Sequence, residues 1–268
     1  MTRATVLGAG AWGTTFAAVL ADAGCEVTVW GRDAAVCEQI TTEHRNERYL
    51  PGVELPATVT GEADLLRSVQ EARVIAVAVP AQSARTALAP LAGRLPESSV
   101  VVSLMKGVEL ATQQRMSQLL AETLAVPQDR VAVLSGPNLA DEIAVRQPTA
   151  TVVAAQDLST AEQVAQACAN PYFRPYTNDD VVGVELCGAV KNVIALAVGI
   201  SQGRGFGYNT MATVITRGLV EITRLGQALG ARAETFGGLA GMGDLMATCA
   251  SPQSRNHRLG VQDRKSVV

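Results

Sequence analysis

Along the first two thirds of the chain, short apolar runs without polar alternation recur between longer stretches of helical period. Residues 3 to 7 (RATVL), 25 to 30 (CEVTVW), 74 to 79 (VIAVAV), 100 to 104 (VVVSL), 131 to 135 (VAVLS) and 149 to 155 (TATVVAA) are runs of this kind. A strand that is apolar at successive positions is buried on both faces, as in a parallel sheet covered by helices on each side. The intervening stretches supply those helices. An amphipathic segment follows "GAGAWG" and runs to about Ala23, where Gly24 closes it, and "SARTALAPLAG" and "QQRMSQLLAETL" also carry helical spacing. The pattern predicts a doubly wound α/β domain.

After "PYFRPYTNDD" at 171 to 180 the texture changes. Helical periods over 181–202, 209–230 and 240–249 follow with no convincing strand, which predicts an all-helical C-terminal domain. The expected division is therefore 1–180 and 181–268, in keeping with two domains for 268 residues.

Composition narrows the function classes. Apolar residues are 48% of the chain and charged ones 18%, which describes a strongly cored globular protein. A formal net charge of −3 with scattered arginines argues against a nucleic-acid surface. No apolar run of about 18 residues is free of charge or glycine, so no membrane insertion is expected. Five cysteines, odd in number and without a CxxC pair, predict reduced core thiols in a cytoplasmic protein. With two histidines in the chain, a histidine metal cluster is excluded, and no metal is expected.

Gly8, Gly10 and Gly13 form G-x-G-x-x-G directly after a strand and at the opening of a helix. In that context the motif is a dinucleotide fingerprint: the glycines allow a tight turn and close approach of the backbone to a pyrophosphate at the helix N-terminus. The first domain is therefore expected to be Rossmann-like. The end of the second strand should select the cofactor, and it reads "VWGRD". A carboxylate there binds a ribose 2′-hydroxyl, and an arginine favours the 2′-phosphate of NADP. Arg32 and Asp33 are both within reach; Asp33 is equally suited to cap the following helix. Arg32 tips the expectation toward NADP(H), with NAD(H) retained.

The chain has nineteen arginines but three lysines, Lys106, Lys191 and Lys265. Arginine stays charged near neutrality, whereas a desolvated lysine can be tuned for proton exchange. Lys191 lies in "GAVKNVIALAVG", where its neighbours at helical spacing are Val184, Cys187, Gly188, Ile194, Ala195 and Val198. An ammonium among such residues is a candidate acid/base group, the alternative being a lysine that snorkels to solvent. Lys106 and the "SGPN" turn with Gly136 and Asn138 each follow a sheet strand, at the carboxyl ends where open α/β sheets bind ligands. Near the C-terminus, "GLAGMGDLMATCASPQSRN" contains glycines that should break a helix around Asp244, then Ser254, Arg255 and Asn256 side by side, a triplet suited to a phosphate. A solvated loop is the plain alternative for that triplet.

Taken in order, "GAGAWG", "VTVWGRD", "NERYLPG", "SLMKG", "SGPNLADE", "AVKNVIALAVG", "GLAGMGDLMATC" and "SPQSRN" closely resemble bacterial NAD(P)-dependent glycerol-3-phosphate dehydrogenase, from residue 2 to about Gly260. The resemblance implies hydride transfer between NAD(P)H and dihydroxyacetone phosphate to give sn-glycerol 3-phosphate for glycerophospholipid synthesis. By the same resemblance Lys191 is catalytic with Asp244 beside it, and Lys106, Gly136, Asn138, Ser254, Arg255 and Asn256 line a phosphorylated substrate. Ala11, Trp12, Arg32, Lys106, Ala140 and Arg255 then contact the nucleotide, and a homodimer is an expected assembly. Ala11 stands where the family often has serine, and Asn138–Leu139 where it has a hydroxyl and an aromatic residue. The family continues with further helices after the position of Gly260, where this chain ends in "VQDRKSVV", so a shortened helical domain is expected. Two rival readings are a β-hydroxyacid or hydroxyacyl-CoA dehydrogenase, which would lack the Asp244 and "SRN" arrangement, and a non-catalytic nicotinamide-nucleotide sensor, which would need no buried lysine.

Overall fold

The structure is a computed structural model that describes residues 1–251 and 254–262. Lys265 and the rest of the tail after Gln262, with Pro252 and Gln253 of the "SPQSRN" stretch, lie outside the described residues. The chain divides into two compact units, one of Met1–Leu134 with Ala140–Asp179, the other of Ser135–Leu139 with Asp180–Val268. Besides the boundary between Asp179 and Asp180, the short segment Ser135–Leu139 groups with the second unit.

The first unit holds strands β1 (Thr2–Leu7), β2 (Cys25–Trp30), β3 (Arg45–Asn46), β4 (Leu50–Glu54), β5 (Val59–Glu62), β6 (Val74–Val77), β7 (Val100–Ser103), β8 (Val131–Ser135), β9 (Thr149–Ala155) and β10 (Phe173–Asn178). Its helices are α1 (Ala11–Asp22), α2 (Ala34–Thr42), α3 (Leu65–Ser68), α4 (Ala84–Leu88), α5 (Met116–Leu124), α6 (Ala140–Ala144) and α7 (Leu158–Cys168). Eight strands form one sheet in the order β10-β9-β8-β7-β6-β1-β2-β5, and β3 and β4 form a separate antiparallel pair. The ladders β1–β2, β1–β6, β2–β5, β6–β7, β7–β8 and β9–β10 are all parallel.

The unbroken apolar runs are explained by what lies on each face. Ala4, Val6, Val74, Ala76, Val100 and Val102 join one core with Phe16 and Val19 of α1 and Val164 of α7. The alternate residues Leu7, Ile75, Val77 and Val101 join a second core with Leu88 of α4 and Leu119 and Leu120 of α5. Each of these strands thus feeds both cores, and a polar residue such as Thr5 is accommodated only by a buried bond, its hydroxyl donating to the Ser68 carbonyl. The helix expected over "SARTALAPLAG" is shorter than its spacing suggests: α4 gives way to a 3₁₀ turn over Ala89–Leu91, where Pro90 offers no N–H to continue it.

The second unit contains α8 (Val181–Gly203), α9 (Tyr208–Ala228), α10 (Ala233–Gly237), α11 (Asp244–Ala250) and α12 (Arg255–Gln262), with a π-helical turn over Leu239–Gly243 running into α11. Of the glycines before Asp244, Gly238 ends α10 as its extended C-cap, whereas Gly241 and Gly243 lie within the π-helical turn that runs into α11. Asp180 caps α8: one carboxylate oxygen accepts the Gly183 N–H at 2.8 Å, the other the Arg232 N–H at 2.9 Å and the Thr235 hydroxyl at 2.6 Å. The packing of α8 on α12 depends on absent side chains. A Cβ on Gly199 would lie 2.2 Å from the His257 carbonyl oxygen, and one on Gly260 2.3 Å from that of Leu196. By length and composition α8 is apolar enough to cross a membrane, with mean hydropathy 1.9, although charge and glycine were expected to prevent this. Its two charges, Glu185 and Lys191, are too few to lower that mean further, and 61% of its most apolar stretch is buried within the protein.

Candidate active site

Parallel pairing sets one edge of the sheet. Leu7 is in register with Trp30 and Val77, and Val77 with Ser103, so the segments that leave β1, β2, β6 and β7 start from the same edge. Chain order runs outward through β2 and β5 and returns to β6 on the other flank of β1, which makes the β1/β6 crevice a topological switch point. The glycine loop lies there. Gly8 has φ +127°, and a Cβ on it would lie 2.7 Å from the Ala78 carbonyl oxygen. A Cβ on Gly13 would lie 2.0 Å from the Gly8 oxygen, whereas one on Gly10 meets nothing within 4 Å. Two glycines are thus required by the protein's own packing, and the third leaves open space beside the N-terminus of α1. A dinucleotide pyrophosphate fits such a cradle.

The neighbouring residues of this edge follow from the same topology. Ala11 and Trp12 open α1, and Trp12 packs half-buried on Phe16 with ring centroids 5.7 Å apart. Arg32 is exposed after β2. Asp33 is the N-cap of α2, accepting the Ala35 N–H at 3.1 Å, and its other oxygen accepts from Arg48 Nη1 at 2.5 Å. Lys106 is half-buried in the loop after β7. Ala140 opens α6, and its carbonyl accepts the Thr15 hydroxyl at 3.4 Å.

In the second unit the sequence candidates Lys191 and Asp244 meet. Lys191 is 7% exposed and Asp244 2%, and the Lys191 ammonium forms a short charge-assisted bond to Asp244 Oδ1. A second donation, at 2.7 Å, goes to Thr248 Oγ1, whose hydroxyl in turn donates to the Asp244 carbonyl at 2.6 Å. Lys191 therefore does not snorkel: its head group is held inside by a carboxylate and a hydroxyl. Two thiols lie near this pair. Burial pushes Cys187 up to about 12, with the negative charges of Asp244 and Asp180 acting in the same direction. Burial also raises Cys249 to about 11 against the opposing pull of Lys191. Both are thiols at neutral pH, so neither competes with Lys191 as a nucleophile or base.

Gly136 and Asn138 belong to the same unit. Gly136 has φ +154°, a conformation that favours glycine, and its carbonyl accepts the Asn138 N–H at 2.8 Å. Ser254 is buried, its hydroxyl accepting the His257 N–H at 3.3 Å, so it serves as a cap for α12. Arg255 is exposed and Asn256 half-buried in the first turn of that helix, and the triplet is thus the start of a helix and not an extended loop.

Two family models account for nearly the whole chain: the N-terminus of NAD-dependent glycerol-3-phosphate dehydrogenase over residues 3–161 and its C-terminus over 180–266. The chain belongs to the NAD-dependent glycerol-3-phosphate dehydrogenase family. Among the similar members, glycerol-3-phosphate dehydrogenase [NAD(P)+] of Streptomyces griseus is 57% identical over 96% of this chain and 77% of its own length. That of Thermobifida fusca is 55% identical over 97% of this chain and 78% of its own length. The crystal structure of glycerol-3-phosphate dehydrogenase from Coxiella burnetii superposes with a TM-score of 0.92 at 37% identity, covering 99% of this chain and 81% of that one. Membership makes the chain an NAD(P)-dependent oxidoreductase.

Two further residues hold the site together without any role assigned from the sequence. Thr248 was legible in principle, since it follows Asp244 by four positions on a helix and so shares its face. Asn46 opens the "NERYLPG" stretch, to which no site role was assigned. It is 1% exposed, and its amide donates to the Ala9 carbonyl in the glycine loop at 2.9 Å and to the Thr14 hydroxyl at 2.7 Å.

Proposed function

We propose that the chain interconverts dihydroxyacetone phosphate and sn-glycerol 3-phosphate in the cytoplasm, with NADPH preferred over NADH. The observation that carries the reading is the buried Lys191–Asp244–Thr248 cluster in a family member whose N-terminal unit is built for a dinucleotide. Bound at the glycine loop, the nicotinamide nucleotide supplies the hydride that the ketone carbon accepts.

The residues of the chain supply the rest. As negative charge develops on the former carbonyl oxygen, the Lys191 ammonium stabilises it and then transfers a proton from Nζ to it, which completes the alcohol. Asp244 fixes Nζ, and the Thr248 hydroxyl limits its rotation. Lys191 regains its proton from solvent, and the reverse reaction uses the same groups in opposite order. Residues 1–180 hold the nucleotide and part of the substrate site, and 181–268 supply the proton transfer. Lys106, Gly136, Asn138, Arg255 and Asn256 are assigned to the phosphorylated substrate by their match to the family's motifs, with Ser254 supporting the start of α12. Arg32 supports the NADPH preference because an exposed guanidinium at the end of β2 can pair with a 2′-phosphate in two parallel hydrogen bonds. Five buried free thiols support a reducing compartment.

The test is NADPH oxidation followed at 340 nm with dihydroxyacetone phosphate, and with 3-oxo acids as the alternative substrates. Oxidation that depends on dihydroxyacetone phosphate is expected. Turnover of 3-oxo acids without it would replace this reading with that of a hydroxyacid dehydrogenase.

A further inference from the structure

Arg48 lies in the turn between β3 and β4, a segment to which none of the roles above extends. The turn is fixed to the nucleotide edge by its neighbour Asn46, whose buried amide holds the Ala9 carbonyl and the Thr14 hydroxyl. It is braced further by the Glu47 N–H, which donates to Gln39 of α2 at 3.1 Å, and by the Glu47 carboxylate, which accepts the Gly52 N–H at 3.1 Å. These anchors carry Arg48 to the end of β2. There its guanidinium donates to Asp33 Oδ2 at 2.5 Å and lies 5.2 Å from the centroid of the Tyr49 ring.

The consequence is electrostatic. A carboxylate after β2 normally repels a 2′-phosphate and accepts a ribose hydroxyl. Here one Asp33 oxygen is engaged by the cap of α2 and the other by a cation, and the corner of Arg32, Asp33 and Arg48 carries a net positive charge. Both side chains of the pair are substantially exposed, at 60% for Arg48 and 42% for Asp33, so a ligand can reach the guanidinium. We infer that Arg48 is a specificity residue of the cofactor site, which turns the β2 corner from a ribose-hydroxyl acceptor into a 2′-phosphate reader by neutralising Asp33 and contributing its own donors. This inference rests on the NADPH reading given above.

Calorimetric titration of the whole protein with NADPH, NADH, adenosine 2′,5′-bisphosphate and 5′-AMP tests it without recourse to activity. Arg48→Ala should weaken NADPH and adenosine 2′,5′-bisphosphate by about tenfold, as loss of one exposed charge-assisted contact, and leave NADH and 5′-AMP within about twofold. Arg48→Lys keeps the charge and should recover part of the loss. Asp33→Asn preserves the cap and should not weaken NADH. Equal wild-type affinities for NADPH and NADH would overturn the NADPH reading and this inference with it. A wild-type preference that Arg48→Ala leaves intact, a parallel loss of all four ligands in both Arg48 variants, or a severalfold loss of NADH in Asp33→Asn would overturn the inference alone.

Discussion

Gly10 and Gly13 occupy one motif for different physical reasons, and alanine at each should separate those reasons. At Gly10 the backbone has φ −75° and ψ 175°, which alanine adopts freely, and an added Cβ meets nothing within 4 Å. Restricting the unfolded chain should stabilise by about 0.4–1 kcal/mol, and replacing an N-cap glycine should cost a similar amount. Gly10→Ala should therefore unfold within about 1 kcal/mol of wild type. Its methyl group would project into the space where a pyrophosphate approaches, and a misfit of about 1–3 kcal/mol raises the Kd for NADPH by roughly 5- to 150-fold. At Gly13 the same methyl would sit 2.0 Å from the Gly8 oxygen and 3.1 Å from Ala78 Cβ, so Gly13→Ala should lose roughly 3 kcal/mol or more of stability before any ligand is considered. Urea denaturation followed through Trp12 and Trp30, with NADPH titration of each folded variant, reads both quantities. Equal destabilisation by the two substitutions, or wild-type NADPH affinity in Gly10→Ala, would refute the reasoning.

Thr248→Val preserves shape but removes the hydroxyl that accepts from Lys191, so stability should fall by about 1–3 kcal/mol and kcat should fall with it; wild-type values of both, by urea denaturation and steady-state kinetics, would remove Thr248 from the cluster. Gly199→Ala would drive a methyl to 2.2 Å from the His257 carbonyl and should destabilise the α8–α12 packing by roughly 1–3 kcal/mol, measured by the urea midpoint, whereas an unchanged midpoint would mean that α12 packs elsewhere. Cys168 and Cys187 are both raised to about 12 and Cys249 to about 11 from an ordinary value of 9.0. Folded thiols thus keep protons that unfolded ones release, so their contribution is intact below about pH 9 and is lost as pH rises toward 11 to 12. The urea midpoint should decline across that window, and replacing these cysteines with alanine should flatten the decline.

The fold was legible where burial on both faces left an unmistakable pattern, as at Val74–Val77 and Val100–Ser103. It was not legible at β5 and β10. Val59–Glu62 and Phe173–Asn178 are edge strands with one neighbour each, so polar residues and Pro175 are tolerated and the apolar signal disappears. The β3–β4 pair is too short to carry any period. Within the site, Lys191 stood out because a charge within the apolar run GAVKNVIALAVG is costly unless paired, and Asp244 was the acidic residue of a glycine-rich motif. That the two would meet is a tertiary fact, set by the close packing of α11 and α12 on α8, which no local spacing encodes. Asp33 shows the converse: sequence allowed both a ribose contact and a cap, and the cap and the Arg48 pair are what the fold provides.

The central claim is that Lys191 transfers a proton to substrate and does not merely balance Asp244. Lys191→Arg is the direct measurement, since arginine retains the positive charge and can still pair with Asp244 but cannot give up a proton near neutral pH. With saturating NADPH and dihydroxyacetone phosphate, kcat should fall by about 10² or more, while titration gives an NADPH Kd within about threefold of wild type. A Lys191→Arg enzyme with near wild-type kcat would contradict the assignment and leave Lys191 as a structural partner of Asp244.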